Sequence, residues 1–150
     1  MKYVLISGAQ SVGKSETVFR LANHLVKNKG YIDINNAIPQ QQEDFFAILE
    51  KNGMFIAIKS GADYSAIHFK QFCNKSNKPI NLIISAIRDE IDPLYKDFYD
   101  CFNISNNDYV LEIPLGKVRR GVQRKPALDW YRKTIDNLLQ MSIEKTPFSI

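Results

Sequence analysis

Residues Lys2–Ser7 read KYVLIS, and residues Gly8–Ser15, directly after them, read GAQSVGKS. In the first segment, Lys2 is followed by the apolar run Tyr3–Ile6, which is typical of a strand covered on both faces in the middle of a parallel sheet. From Lys14 onward the apolar residues recur at three- and four-residue spacing, which predicts an amphipathic helix that stops at Gly30. The stretch therefore predicts a buried strand, a glycine-containing turn and a helix.

The turn matches the pattern Gly-x4-Gly-Lys-Ser/Thr, in which each residue type has a physical purpose. The two glycines let the backbone curl so that successive N–H groups point at phosphate oxygens. Lys14 reaches the β- and γ-phosphates, Ser15 offers a hydroxyl ligand to magnesium, and the following helix adds the positive end of its dipole. An ordinary glycine-rich turn explains the glycines but leaves the Lys-Ser pair unexplained. We therefore predict a site for a nucleoside triphosphate and Mg²⁺, formed by Gly8, Ala9, Gln10, Ser11, Val12, Gly13, Lys14, Ser15 and Glu16.

Residues 3–28 resemble the start of a P-loop nucleoside triphosphatase, and the short chain is most similar to the small nucleotide and metabolite kinases of that superfamily. The resemblance implies ATP as the nucleotide, since no residue identifies the base. The segment Ile80–Ala86 followed by Arg88 resembles the strand-then-arginine segment of some phage-type deoxynucleoside monophosphate kinases. The basic segment 117–125 lies where those kinases carry an arginine-bearing lid. A phosphorylated or nucleotide-like small molecule would then be the acceptor.

The chain departs from the superfamily pattern in two places. No predicted strand ends in four apolar residues followed by Asp, so the second carboxylate of the magnesium site is not obvious. The segment Asn74–Asn77 resembles the guanine-reading pattern Asn-Lys-x-Asp, but it precedes a strand and lacks the Asp. We therefore do not expect guanine specificity.

The remaining sequence predicts alternating strands and helices. Asn52-Gly53 between two apolar runs is a strong signal for a β-hairpin. In chain order, the predicted elements are strands at Tyr31–Ile34, Phe45–Leu49 and Met54–Lys59, a helix over Asp63–Asn74, a strand at Ile80–Ala86, a helix from Pro93, a strand at Tyr109–Ile113 and a helix from Pro126. The order predicts one α/β domain over residues 1–150, three-layered, with a mostly parallel sheet.

Three polar residues outside the loop are candidates for phosphoryl-transfer chemistry. Asp63 follows a predicted strand closely, so it could hold magnesium at the carboxyl edge of the sheet or cap the next helix. Asp33 could act as the base for an acceptor hydroxyl, or it could be a loop residue without a role. Arg88 could hold an acceptor phosphate, or form a surface ion pair with Glu90 or Asp92.

Basic residues are concentrated near the carboxyl end. The net charge is +4, yet residues 117–133 alone carry seven basic residues and one acidic residue, or +6. Arg119, Arg120 and Arg124 flank Gly121, which suits a mobile lid that brings a guanidinium onto the transferring phosphate. The candidate catalytic set is therefore Lys14, Asp33, Arg88 and Arg120, although the sequence does not show which of the three arginines reaches the ligand. A solvated basic loop is the alternative.

Length and composition favour a single cytoplasmic domain. The 150 residues contain 45% hydrophobic and 24% charged residues, and no apolar run approaches the length of a membrane span. Cys73 and Cys101 lack metal-like spacing and are interpreted as reduced thiols. His24 and His68 have no partner at metal spacing, and Trp130 is expected in the core. We favour a small-molecule kinase over a nucleotide-binding switch or accessory NTPase, and both over a nucleic-acid-linked ATPase that uses the basic segment.

Overall fold

A computed structural model describes residues 1–118 and 124–150 and shows an α/β chain of alternating strands and helices. The elements are β1 (Lys2–Ser7), α1 (Lys14–Lys29), β2 (Ile32–Asp33), β3 (Phe46–Lys51), β4 (Met54–Lys59), α2 (Ala66–Lys75), β5 (Ile80–Ala86), α3 (Pro93–Phe102), β6 (Tyr109–Pro114) and α4 (Arg124–Ile143).

The strands of the described residues form one mixed sheet in the order β2-β3-β4-β5-β1-β6. β1 lies parallel to both β5 and β6, and β5 lies parallel to β4. The pairs β2–β3 and β3–β4 are antiparallel. The sheet is therefore mostly parallel, as predicted, and the carboxyl ends of β1, β4, β5 and β6 lie along one edge. That edge is where ligands bind in open α/β sheets.

Asn52 and Gly53 form the predicted hairpin turn. Both have positive φ angles, 52° and 79°, which is what a two-residue hairpin turn with the twist of its strands requires. Lys51 pairs with Met54 across the turn, so β3 continues two residues beyond the predicted end at Leu49.

Helices cover both faces of the sheet. Val4 and Ile6 of β1 point into a core shared with α1 and α4, whereas Tyr3 and Leu5 point into a second core shared with α2 and α3. This alternation follows from the two-residue side-chain period of a strand. The residues of β1 are consequently buried on both sides, as their apolar composition predicts.

The two helices α2 and α4 differ in detail from the predictions. α2 begins at Ala66, so Asp63 lies in the preceding loop and does not cap the helix. α4 is described from Arg124, so Pro126 lies within its first turn. Backbone N–H groups in the first turn have no acceptor within the helix, so the N–H that proline lacks is not needed there. Trp130, which was expected in the core, is 69% exposed, and Leu138 is exposed as well. The buried residues of α4 are Ile135, Leu139 and Ile143, which lie on one face of the helix. Among the described residues, no helix is both long and apolar enough to span a membrane.

Candidate active site

The loop between β1 and α1 is tightly curled. Gly8, Ser11 and Gly13 all have positive φ angles, 141°, 60° and 93°. A Cβ atom on Gly8 would lie 3.0 Å from the Leu115 carbonyl oxygen and 3.0 Å from Val12 Cγ2, so this position has no room for a side chain. The Leu115 N–H donates to the Ser7 carbonyl (2.8 Å), which holds the chain after β6 against the loop. Gly8 and Gly13 therefore allow the curled backbone that the motif predicts.

The amino terminus of α1 offers unused hydrogen-bond donors. Gly13 is the N-cap and provides no side-chain acceptor. In the described part of the chain, no oxygen accepts from the backbone N–H groups of residues 13–16, whereas the Thr17 N–H donates to Gly13 (2.9 Å). Open N–H groups and the helix dipole together favour an anion at this end.

Lys14 lies almost buried beneath this loop. Its side chain is 5% exposed, and its Nζ donates to the carbonyl oxygens of Gly8 (2.8 Å) and Ala9. Burial lowers the pKa of Lys14, and the neighbouring Arg88 guanidinium lowers it further, while Asp63 acts in the opposite direction. An anionic ligand at the loop would relieve the repulsion between the two cations.

A first cavity of about 370 Å³ opens in front of the loop. Its walls bring together polar residues from six separate parts of the chain. Among those that line it are Lys14, Ser15, Glu16, Gln42, Asp44, Asp63, Arg88, Lys117, Arg124, Tyr131 and Arg132. The predicted residues Lys14, Ser15, Asp63 and Arg88 thus share one cavity.

Arg88 forms the ion pair with Asp92 that the sequence offered as one of its two interpretations, and its role towards an acceptor phosphate stays a prediction. It lines the first cavity and its guanidinium also pairs with the carboxylates of Asp63 and, at 3.7 Å, Asp92. The side chain of Arg88 is only 12% exposed, whereas that of Asp63 is 65% exposed. Because 3.7 Å is too long for a hydrogen bond, the buried Nε of Arg88 has no hydrogen-bond partner among the described residues.

Lys59, which the sequence analysis did not single out, fixes the loop that carries Asp63. It ends β4, is 1% exposed, and donates from Nζ to the carbonyl oxygens of Gly61 (2.6 Å) and Ala86 (2.9 Å). The ends of β4 and β5 are thereby joined through one amine. Burial lowers the pKa of Lys59 to about 7, against the weaker opposing influence of Asp44 and Asp63.

The carboxylate of Asp44 also lines the cavity, and the sequence did not point to it. Phe45 and Ser60 exchange hydrogen bonds, from the Phe45 N–H to Ser60 Oγ (2.7 Å) and from the Ser60 N–H to the Phe45 carbonyl (3.1 Å). This places Asp44 against Gly61, where a Cβ atom would lie 2.7 Å from Asp44 Oδ2. No ion pair within the described ranges includes Asp44. Asp44 follows a run of polar residues, Gln40–Glu43, and nothing in this run indicates that Asp44 reaches the cavity.

Asp33 does not line the first cavity, so the structure gives no support to its assignment as the base. It lies in β2, at the far edge of the sheet, four strand spacings or roughly 19 Å from β1. There its carboxylate accepts a hydrogen bond from the Ile38 N–H (2.8 Å), which holds the loop after β2. The sequence could not show this position, because strand order cannot be read from chain order.

Ser15 and Asp63 fit a magnesium ion that arrives with a nucleotide. The described residues contain no group of three or more His, Cys, Asp or Glu side chains placed to hold a metal ion on their own. Nucleotide-bound Mg²⁺ needs only one or two protein ligands, because phosphate oxygens and water fill the remaining positions. Ser15 and Asp63 line the same cavity and could be those one or two protein ligands.

The carboxyl-terminal wall of the cavity is basic. Lys117, Arg124 and Arg132 line it, and Arg132 is paired with Glu16 at 2.8 Å. The Gly116 N–H donates to the Tyr131 hydroxyl (2.7 Å), which links the chain after β6 to α4. The other residues of the predicted lid, Arg119, Arg120 and Gly121, lie outside the described residues.

The chain was also compared with protein-family models, with curated proteins and with solved structures, and nothing matches in any of the three comparisons. The geometry of the site therefore carries the functional argument alone.

Proposed function

We propose that the chain binds a nucleoside triphosphate, with ATP as the donor, together with Mg²⁺, and transfers the γ-phosphoryl group to a small molecule. One observation carries the proposal: the amino-terminal residues of α1 with their open amides, Lys14, Ser15 and Arg88 all line one cavity. These are the donor types that phosphoryl transfer needs, because its catalysis rests on positioning and charge neutralisation.

The charge of the cavity supports a polyanionic ligand. Five basic residues line it, Lys14, Arg88, Lys117, Arg124 and Arg132, against the three acidic residues Glu16, Asp44 and Asp63, which leaves a net charge of +2. A triphosphate would offset this positive excess, and the metal would be shared between phosphate oxygens and Ser15.

Hydrolysis without an acceptor is a second candidate function. Gln42 and Asp44 lie on the wall of the first cavity, and side chains of these types can orient an attacking water. Transfer is favoured over hydrolysis because a second cavity adjoins the first at Ala62 and Asp63. A nucleic-acid role for the basic segment has less support, since Lys117, Arg124 and Arg132 face the first cavity.

The test compares Lys14→Ala with Lys27→Ala, a matched change at an exposed position of α1 outside the first cavity. The wild type and the control should gain about 2.7 kcal/mol of stability in a hundredfold excess, over the dissociation constant, of a non-hydrolysable ATP analogue with Mg²⁺. The Lys14→Ala protein should gain almost nothing and remain folded. Equal thermal shifts in the two variants would remove the basis of the proposal.

A further inference from the structure

A second cavity, of about 630 Å³, lies between α2 and α3 on the other side of Asp63. It shares Ala62 and Asp63 with the first cavity, so these two residues form the wall between them. Lys59 and Phe98, both almost fully buried, line it as well. A molecule there would approach a nucleotide in the first cavity across one carboxylate.

The lining of this second cavity is largely apolar. Phe98 and Ile87 form its buried part, and Ile67 and Leu94 are exposed beside it. Ile67 is 58% exposed, although it is a large apolar side chain at the cavity wall. Apolar side chains around a concave site with a few polar groups are the usual lining of a small-molecule site.

The charged groups of the second cavity are unfavourable for a phosphorylated acceptor. No arginine lines it within the described ranges, and Asp97 and Asp100 lie on its exposed side. Its two lysines are already engaged: Lys59 donates to two carbonyl oxygens, and Lys70 donates to the Cys101 carbonyl (2.6 Å). A phosphate would face carboxylates without a free guanidinium to bind it.

We propose that the second cavity binds the acceptor, and that this acceptor is a neutral or cationic molecule with an apolar body and a hydroxyl group directed at Asp63. This inference rests on the proposed function. The acceptor oxygen forms a bond to the γ-phosphorus of the triphosphate, and the bond from that phosphorus to the β–γ bridging oxygen breaks. The hydroxyl proton passes to the Asp63 carboxylate, and the nucleoside diphosphate leaves with the bonding electrons. In this arrangement Asp63 is the base and not a metal ligand, and Ser15 with the phosphate oxygens would hold the metal. This acceptor class replaces the nucleotide-like one that the resemblance implied.

Three probes with the same ring and different end groups test the chemistry: 2-phenylethanol, 2-phenylethylamine and phenylacetate. Their binding is measured by NMR titration of the protein saturated with Mg²⁺ and a non-hydrolysable ATP analogue. We expect the alcohol and the amine to bind at least about tenfold more tightly than phenylacetate. Replacing Mg²⁺ by paramagnetic Mn²⁺ should broaden the CH₂OH protons of bound 2-phenylethanol more than its ring protons.

The control variants separate this cavity from the first. Ala66→Leu adds volume to the wall of the second cavity, and Ala127→Leu makes the same change at an exposed position of α4 that lines neither cavity. Ala66→Leu should weaken 2-phenylethanol binding at least about tenfold and leave the thermal shift with the nucleotide analogue unchanged. Ile67→Gln, at an exposed side chain, should weaken the same probe without a risk to folding.

Each outcome decides the inference. Probe binding that is lost in Ala66→Leu and Ile67→Gln, kept in Ala127→Leu and oriented towards Mn²⁺ supports it. Tighter binding of phenylacetate, unchanged binding in both cavity variants, or stronger broadening of the ring protons overturns it while the nucleotide site stands. Absence of nucleotide binding in the wild type overturns the proposed function, and the acceptor assignment with it.

Discussion

Replacement of Lys59 by Met tests the buried amine that joins the ends of β4 and β5. Methionine has a similar length and an apolar end, so it fills the same space without a charge or a donor. The carbonyl oxygens of Gly61 and Ala86 then lose their donor, which costs about 1–3 kcal/mol for each buried group. The pH dependence of the effect identifies the amine as its cause.

The magnitude follows from the shift in the Lys59 pKa. Burial lowers this pKa from 10.5 to about 7 in the folded chain. Between these two pH values the unfolded chain binds a proton that the folded chain has released, so the free energy of unfolding rises with pH. From pH 7 to pH 9 the contribution of Lys59 amounts to about 2 kcal/mol. The variant lacks this gain, so its deficit relative to the wild type should be about 2 kcal/mol larger at pH 9 than at pH 7.

Urea unfolding of both proteins at pH 7, 8 and 9 measures the difference directly. Other groups also titrate with folding, including the Cys73 thiol and the Tyr3 hydroxyl, whose pKa values burial raises to about 12. They are present in both proteins, so their contributions cancel in the comparison. A deficit that stays constant from pH 7 to pH 9 would refute the claim that burial lowers the pKa of Lys59 in the folded chain.

Three further perturbations test separate parts of the site. Gly8→Ala should lower the free energy of unfolding by about 1–3 kcal/mol and abolish nucleotide binding, since its Cβ meets two atoms at 3.0 Å. Gly53→Ala, whose Cβ meets nothing within 4 Å, should cost only about 1 kcal/mol for its left-handed backbone; equal costs in urea unfolding would contradict the steric reason. Ser60→Ala should cost about 1–3 kcal/mol, because a buried N–H loses its acceptor, while Ser142→Ala at an exposed hydroxyl should change urea stability little; the reverse order would argue against this role. Arg88→Gln should weaken binding of the ATP analogue about tenfold in calorimetry, and unchanged affinity would remove Arg88 from the site.

Most of the fold could be predicted because its signals are local. The Asn52-Gly53 turn, the apolar run Ile80–Ala86 and the Asp92-Pro93 helix start each depend on residues adjacent in the chain. Asp92 accepts a hydrogen bond from the Leu94 N–H, as an N-cap should. The exposure of Trp130 could not be foreseen, because the face of α4 that is covered depends on α1 and the sheet.

The order of the strands could not be predicted, and this affected the site residues unequally. Gly8, Lys14 and Ser15 lie in one continuous segment, so the motif alone placed them together. Asp33 was a candidate base because it is a carboxylate in the strand predicted at Tyr31–Ile34. The hairpin β3–β4 and β5 lie between that strand and β1, so it does not reach the cavity.

Asp44 shows why carboxylates at such an edge are easily overlooked. The usual search looks for polar residues that follow a parallel strand, since the carboxyl ends of such strands meet at the ligand-binding edge. β3 is antiparallel to β4, so the amino-terminal end of β3 reaches that same edge, and the residues before it do too. Asp44 precedes β3, and the hydrogen bonds between Phe45 and Ser60 set it beside the loop that carries Asp63. A hairpin at the border of a parallel sheet therefore supplies the edge with residues from both of its strands, one carboxylate before β3 and one after β4.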